Sequence, residues 1–162
     1  MNRIYSINET YIKTIDEKDL FNFFKEYVSK YKKPIDQAKE SILLKSMGFL
    51  KNKAKTLEDI WNNAQYIIND KIEVGLDDKK LIDDLSKKVI NDFINEFEKL
   101  SSPSREILEP VIKSLIDKHK TNFKGVGQPL RIALVGSRFG PGLYDVILSL
   151  DKAEVIKRLK SV

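Results

Sequence analysis

Cysteine is absent from the 162 residues and histidine occurs once, at His119. The first absence excludes disulfides, thiolate nucleophiles and Cys-type zinc sites, and with them any sign of a secreted compartment. The second excludes His-rich metal clusters and leaves a single imidazole as a possible base. No apolar run approaches the ~18–20 residues that span a bilayer, and the opening MNRIYSINETY lacks the apolar stretch of a signal peptide. The expectation is a soluble, cytoplasmic protein with no membrane contact and no resident metal or cofactor.

Charge, by contrast, is plentiful: 33% of residues are Asp, Glu, Lys or Arg, beside 41% hydrophobic residues. At this length roughly 70% of the unfolded surface can be buried, so a core needs neither disulfide nor metal. The net charge is +5, and residues 115–162 hold all of it, with nine basic residues against four acids. That excess is either a solvated lysine-rich surface or one that faces phosphates.

Apolar residues recur at helical spacing nearly throughout. Leu20, Phe21, Phe24, Tyr27 and Val28 predict a helix over 17–31, ended by Pro34. Asp36 can cap a second, carrying Ile42, Leu43, Met47 and Leu50 toward Lys53. Thr56 to Asp59 resembles a capping box and opens a third helix reaching Ile68, with Trp61 and Tyr66 on it. In DDKKLIDDLSKKVINDFINEFEKL, the residues Leu81, Ile82, Leu85, Val89, Phe93, Phe97 and Leu100 draw one stripe along a long helix. Ser102 and Pro103 read as N-cap and first turn of a fifth, lined by Ile107, Leu108, Val111, Ile112, Leu115 and Ile116.

Beyond Lys120 the texture changes, since five of the seven glycines fall between Gly125 and Gly142, among Pro129 and Pro141. Such punctuation predicts a short helix over 129–135, a loop over 136–140, a helix opened by Pro141 and a last one after Asp151, whose pairing with Glu154 fits a capping box. No segment alternates as a strand would. The fold class is all-α.

The usual catalytic signatures fail on context. Gly136-Ser137-Arg138-Phe139-Gly140 lacks the strand before it that a nucleophile elbow needs, and His119 is expected on an exposed helix end. GVGQPL matches neither a P-loop nor a dinucleotide fingerprint. Asp77-Asp78 and Asp83-Asp84 fit a solvated helix face better than an acid/base pair. What remains is a loop equipped with Arg131, Arg138, Phe139, the backbone at Gly140 and a helix start at 141–144. Guanidinium groups, flat apolar side chains and exposed amides suit unpaired bases and their phosphates.

Over residues 127–160 the chain resembles the C-terminal end of bacterial-type glutamyl-tRNA synthetases. Gln128, Leu130, Arg131, Ala133, Leu134 and Gly136 match that family's Q-x-L-R-x-A-L-T-G stretch, and Pro141, Gly142, Leu143 and Tyr144 match its P-G-[LIV]-[FY]. Upstream, Lys53-Ala54-Lys55-Thr56-Leu57 is similar to R-x-K-T-L-x-E, and Ile7-Asn8-Glu9-Thr10-Tyr11-Ile12-Lys13 to L-N-x-E-Y-I-R, a segment that follows the family's catalytic half. The resemblance implies an all-helical fold of two packed helical subdomains, taken here as 1–100 and 101–162. It implies an anticodon-binding fragment that recognises the tRNA(Glu) anticodon loop and is not an enzyme by itself. The H-I-G-H-like motif of the catalytic half cannot be built with one histidine, and Lys99-Leu100-Ser101-Ser102 echoes its K-M-S-K-S-like loop only superficially. ATP and Mg would belong to that half, the partner in the intact protein, and the fragment itself is expected to be monomeric. Met1, directly before a mid-protein motif, suits a boundary within a longer chain and a separately encoded domain alike.

Site residues follow from the same resemblance. Arg131 corresponds to an arginine on the splayed anticodon bases, and Pro141 and Leu143 to positions that hold and stack on them. Gly140 stands where some members have threonine, so only its backbone can bind. Lys53 corresponds to an arginine reading the third anticodon base; a shift of two would put Lys51 or Lys55 there, and no lysine offers the two-point fork of arginine. Lys124 and Arg138 are candidates for phosphate contacts. Competing readings place Leu143 in the core, pair Arg131 with Asp145, and leave Lys53 as a surface lysine. At the level of function, the competing reading is a basic helical protein-interaction module whose apolar stripes extend into a partner groove.

Overall fold

Every regular element among the described residues is helical, as the patterning requires; the computed structural model describes residues 9–162. The chain divides into two units, the first ending at Asp70 and the second comprising Lys71–Val162. The first contains α1 (Glu9–Thr14), α2 (Glu17–Tyr31), α3 (Gln37–Leu50), a 3-10 turn (Lys51–Lys53), α4 (Leu57–Asn63) and α5 (Gln65–Ile68). The second contains α6 (Leu76–Lys79), α7 (Asp84–Glu98), α8 (Arg105–Lys118), α9 (Phe123–Val135), α10 (Leu143–Ser149) and α11 (Lys152–Lys160).

In the first unit, α2 packs on α3 and α4, and α3 packs on α5. Leu20, Phe24, Val28, Leu43, Met47 and Ile60 are fully buried between them, so the expected stripe is the core face. Asp36 caps α3 by accepting from the Ala38 N–H at 3.1 Å. The capping box forms as the sequence suggests: Thr56 accepts from the Asp59 N–H at 3.1 Å and Asp59 accepts from the Thr56 N–H at 3.2 Å. The helix expected to reach Ile68 is interrupted at Ala64, which is buried. The segment beginning at Ile7 and Asn8 lies partly outside the described residues; within it, Ile12 is buried on α1.

In the second unit, α9 is the centre, packed against α7, α8, α10 and α11. Three expectations are corrected here. The boundary falls at Asp70 rather than residue 100, because α7 buries Val89, Ile90, Phe93, Ile94 and Phe97 against helices of the second unit. The expected long helix breaks before Asp83, whose carboxylate accepts from the Ser86 N–H and Oγ, both at 2.8 Å. The cap places Leu81 outside the helix, where it is exposed, and Leu85 on the first turn of α7 is exposed as well. The start of α8 is capped by Ser104, which accepts from Ile107 N–H, and not by Ser102.

The largest departure is α9 itself. It begins at Phe123, with Asn122 accepting from the Gly125 N–H at 2.9 Å, and runs through Gly125, Gly127 and Pro129. Glycine and proline inside a helix cost about 1 and 3 kcal/mol each in an isolated segment. Here burial of Val126, Leu130, Ile132, Ala133 and Leu134 on several sides outweighs propensity. The glycines also permit contact: a Cβ at Gly125 would lie 1.9 Å from the Thr121 hydroxyl. Pro110 is likewise accommodated within α8.

The α9 helix ends at Gly136, which adopts φ 86° and donates its N–H to the Ile132 carbonyl at 2.8 Å. A Cβ there would lie 2.7 Å from both the Glu73 carbonyl oxygen and the Ile72 Cγ2. Left-handed backbone disfavours any side chain by about 1–2 kcal/mol, and this approach to backbone cannot be relieved by a rotamer change. Gly136→Ala should therefore destabilise the second unit by more than about 1–2 kcal/mol, read as a lowered urea midpoint.

His119 is not on an exposed end. Its ring is 10% exposed and its Nε2 lies 2.8 Å from the Asp92 carboxylate, which Lys118 also approaches at 3.0 Å. Lys118 first, then His119, hold the Asp92 carboxyl below its usual range. A depressed folded pKa stabilises above the unfolded value of about 4 and the gain disappears as pH falls through the folded value. Asp92→Asn should reduce stability by about 1–3 kcal/mol at neutral pH, the scale of a hydrogen bond to a charged group. In urea unfolding at a series of pH values, wild type should keep that advantage down to about pH 4 and lose it below.

Candidate functional site

The loop over 136–142 joins α9 to α10, and two contacts fix its course. Gly136 lets it leave α9 against the backbone at Ile72 and Glu73. Asp78 then holds Arg138 twice, accepting from its backbone N–H at 3.4 Å and its Nη1 at 3.2 Å. The chain turns through Gly140 at φ 138° and enters α10 by way of Gly142.

Arg131 approaches this loop from α9. It is half-buried, and its Nη1 donates to the Arg138 carbonyl at 3.2 Å rather than pairing with Asp145. Its Nε is buried with no hydrogen-bond partner. Burial lowers the pKa of the guanidinium, which stays charged at neutral pH. A charged donor desolvated without a partner is unfavourable, so an acceptor delivered by a ligand would regain much of what burial removes.

The other expected residues separate by exposure. Pro141 and Leu143 are buried, Leu143 to 2% exposure, so the competing reading of Leu143 as core holds. Neither presents a face on which a base can stack in this form of the chain; both anchor the start of α10, and Leu143 lies beside Gly127. Gly140 is half-exposed, with its backbone at the turn. Lys124 is exposed on the first turn of α9. Arg138 is part-exposed and tied to Asp78, so it is less available to phosphate than the sequence suggests.

Lys53 lies in the first unit and the other six expected residues in the second. It ends the 3-10 turn and is exposed, as is Lys55. Lys51 is engaged within the first unit: its Nζ donates to the Ile15 carbonyl at 3.3 Å and lies 3.8 Å from Glu17.

Two features of the second unit escape sequence reading. Arg158 is 5% exposed, donating Nε to Glu154 and Nη1 to the Leu134 carbonyl, each at 2.8 Å. Glu154 is thereby used for Arg158, and Asp151 makes no side-chain cap. The expected capping box is absent; an i,i+4 carboxylate and guanidinium were the available signal. Lys152 donates to the Glu98 carbonyl at 2.8 Å and to the Leu100 carbonyl, at the end of α7. Tyr144 carries the Arg105 guanidinium 4.9 Å from its ring centre and lies 6.2 Å from the Phe123 ring. Burial raises the Tyr144 pKa. Among the described residues, no cluster of His, Asp and Glu could hold a metal.

Among known proteins, the chain is 53% identical to a glutamate-tRNA ligase of Pelagibacter ubique over 98% of its own length and 34% of that protein's. A glutamate-tRNA ligase of Nitrobacter hamburgensis is 29% identical over 97% of the chain and 35% of the relative. The chain thus spans about a third of the length of the curated relatives it matches. In fold it resembles the crystal structure of a glutamate tRNA ligase from Elizabethkingia meningosepticum in complex with its amino acid. The TM-score is 0.77 at 22% identity, covering 95% of this chain and 30% of that one. The family model described as an anticodon binding domain matches residues 14–162, and the chain belongs to that family.

Proposed function

We propose that this chain is the anticodon-binding part of a glutamate-tRNA ligase and binds the anticodon loop of tRNA(Glu). The observation that carries this reading is the 53% identity to one such ligase over 98% of the chain. In this reading the chain performs no aminoacylation itself; a catalytic half supplies the ATP- and Mg-dependent glutamylation, and this domain positions the tRNA for it. It acts as a monomer in the cytoplasm.

The geometry fits single-stranded recognition. Arg131 offers base edges a guanidinium whose Nε lacks a partner, beside the half-exposed turn at Gly140. Lys124 supplies a phosphate contact, and Lys53, on the first unit, offers the tRNA a point charge rather than a fork. Phosphate contacts give affinity and position, whereas Arg131 gives selectivity.

Arg131→Met separates this role from a structural one. It should weaken binding of a tRNA(Glu) anticodon stem-loop by about 1–3 kcal/mol, the scale of a good base contact. Because it removes a buried unpaired donor together with the Nη1 hydrogen bond to the Arg138 carbonyl, the two changes offset and the melting temperature should stay close to that of wild type. Unchanged affinity, measured by titration of the stem-loop, refutes the assignment.

Binding should also weaken linearly with the logarithm of salt concentration, and Lys124→Ala should reduce that slope by about one. A slope unchanged by the substitution removes Lys124 from the interface.

A further inference from the structure

Phe139 is 69% exposed, more than any other aromatic side chain among the described residues. An exposed phenyl ring at the tip of a loop contributes nothing to the core, yet its surroundings are ordered around it. The Arg138 guanidinium lies over the ring, 4.9 Å from its centre. Asp78 holds that guanidinium at 3.2 Å, and Arg131 holds the Arg138 carbonyl at 3.2 Å. The Phe139 N–H is in turn fixed to the Ser137 hydroxyl at 3.0 Å. The ring thus carries one guanidinium, on a loop that Asp78, Arg131 and Ser137 hold, while remaining largely open to solvent.

We propose that Phe139, backed by Arg138, is a stacking platform for one unpaired base of the anticodon loop. This rests on the reading of the chain as an anticodon-loop binder. The chemistry favours a nucleobase over other partners: an aromatic ring with a guanidinium on it provides both a flat π surface and positive charge for the adjoining phosphate. The ring also sits one residue from Arg138, whose carbonyl Arg131 grips, so a base stacked on Phe139 is within the same loop that presents the unpartnered Arg131 donor. Stacking supplies contact area that buried Leu143 cannot, and Arg131 supplies the edge contact.

The test is titration of the full chain with a tRNA(Glu) anticodon stem-loop and with a control loop whose three anticodon bases are altered. Phe139→Leu keeps apolar bulk without a π face and should weaken binding of the authentic loop about 5- to 150-fold, the range for loss of one stacked base. Phe139→Trp should retain affinity, and its emission should be quenched on binding beyond any change seen for Trp61 in wild type. Both variants should melt as wild type does, since the side chain is exposed. If wild type prefers the authentic loop and Phe139→Leu binds it equally well, the platform is refuted while the anticodon reading stands. If wild type shows no preference between loops, that reading fails and the platform with it.

Discussion

A helix end packed among its neighbours cannot send its last carbonyl groups to water, and the second unit is arranged around that constraint at the end of α9. Two residues answer it. The Gly136 N–H returns to Ile132, and Arg158 brings a guanidinium 5% exposed to the Leu134 carbonyl. A cation at a helix C-terminus meets the negative end of the macrodipole, and Glu154 completes its neutralisation. Removing Glu154 would leave the buried Arg158 guanidinium without its carboxylate. The position of α11 and the exit direction of the loop at 136–142 are both consequences of closing that helix.

The loop inherits its precision from this closure. Gly136 abuts the Glu73 carbonyl as the chain leaves α9, and Asp78 meets Arg138 two residues later. Arg131 lies on α9 before the cap, so its guanidinium is delivered by a helix rather than by the loop it touches. Rigid elements carrying an imperfectly satisfied polar group are what a preorganised binding site requires. The buried Nε lowers stability in the free chain, and the same feature raises the gain when an acceptor arrives.

Much of this was legible in the residues themselves, for identifiable reasons. Core faces of α2, α3, α7 and α8 follow from 3.6-residue spacing, and Asp36 and Thr56 follow from local capping chemistry. Structure and local pattern part where tertiary burial overrides local preference. Gly125, Gly127 and Pro129 read as helix breakers, yet close packing makes them part of α9. Asp83 read as one of many solvated acids because nothing local distinguishes a cap from a charged face once both fit. The Asp78 to Arg138 contact spans 60 residues, beyond the reach of any local pattern. Of the candidate site, Arg131 and Gly140 lie at the loop as expected, whereas Leu143 shows that a motif position can be structural in the free chain.

The basic excess of residues 115–162 illustrates how composition overstates a binding surface. Arg158 is buried on α9, Lys152 closes the end of α7, Lys118 pairs with Asp92, Lys160 with Glu98 and Arg138 with Asp78. Those cations hold helices together or neutralise acids, so each offers a phosphate less free charge than a count of lysines and arginines suggests. Counterion release scales with the phosphates actually neutralised, not with net charge. Recognition by this surface must therefore lean on fewer cations, and correspondingly more on the directional donors of Arg131 and on contacts to base faces. Such contacts are less screened by salt than a diffuse field and carry the sequence information that phosphate contacts lack.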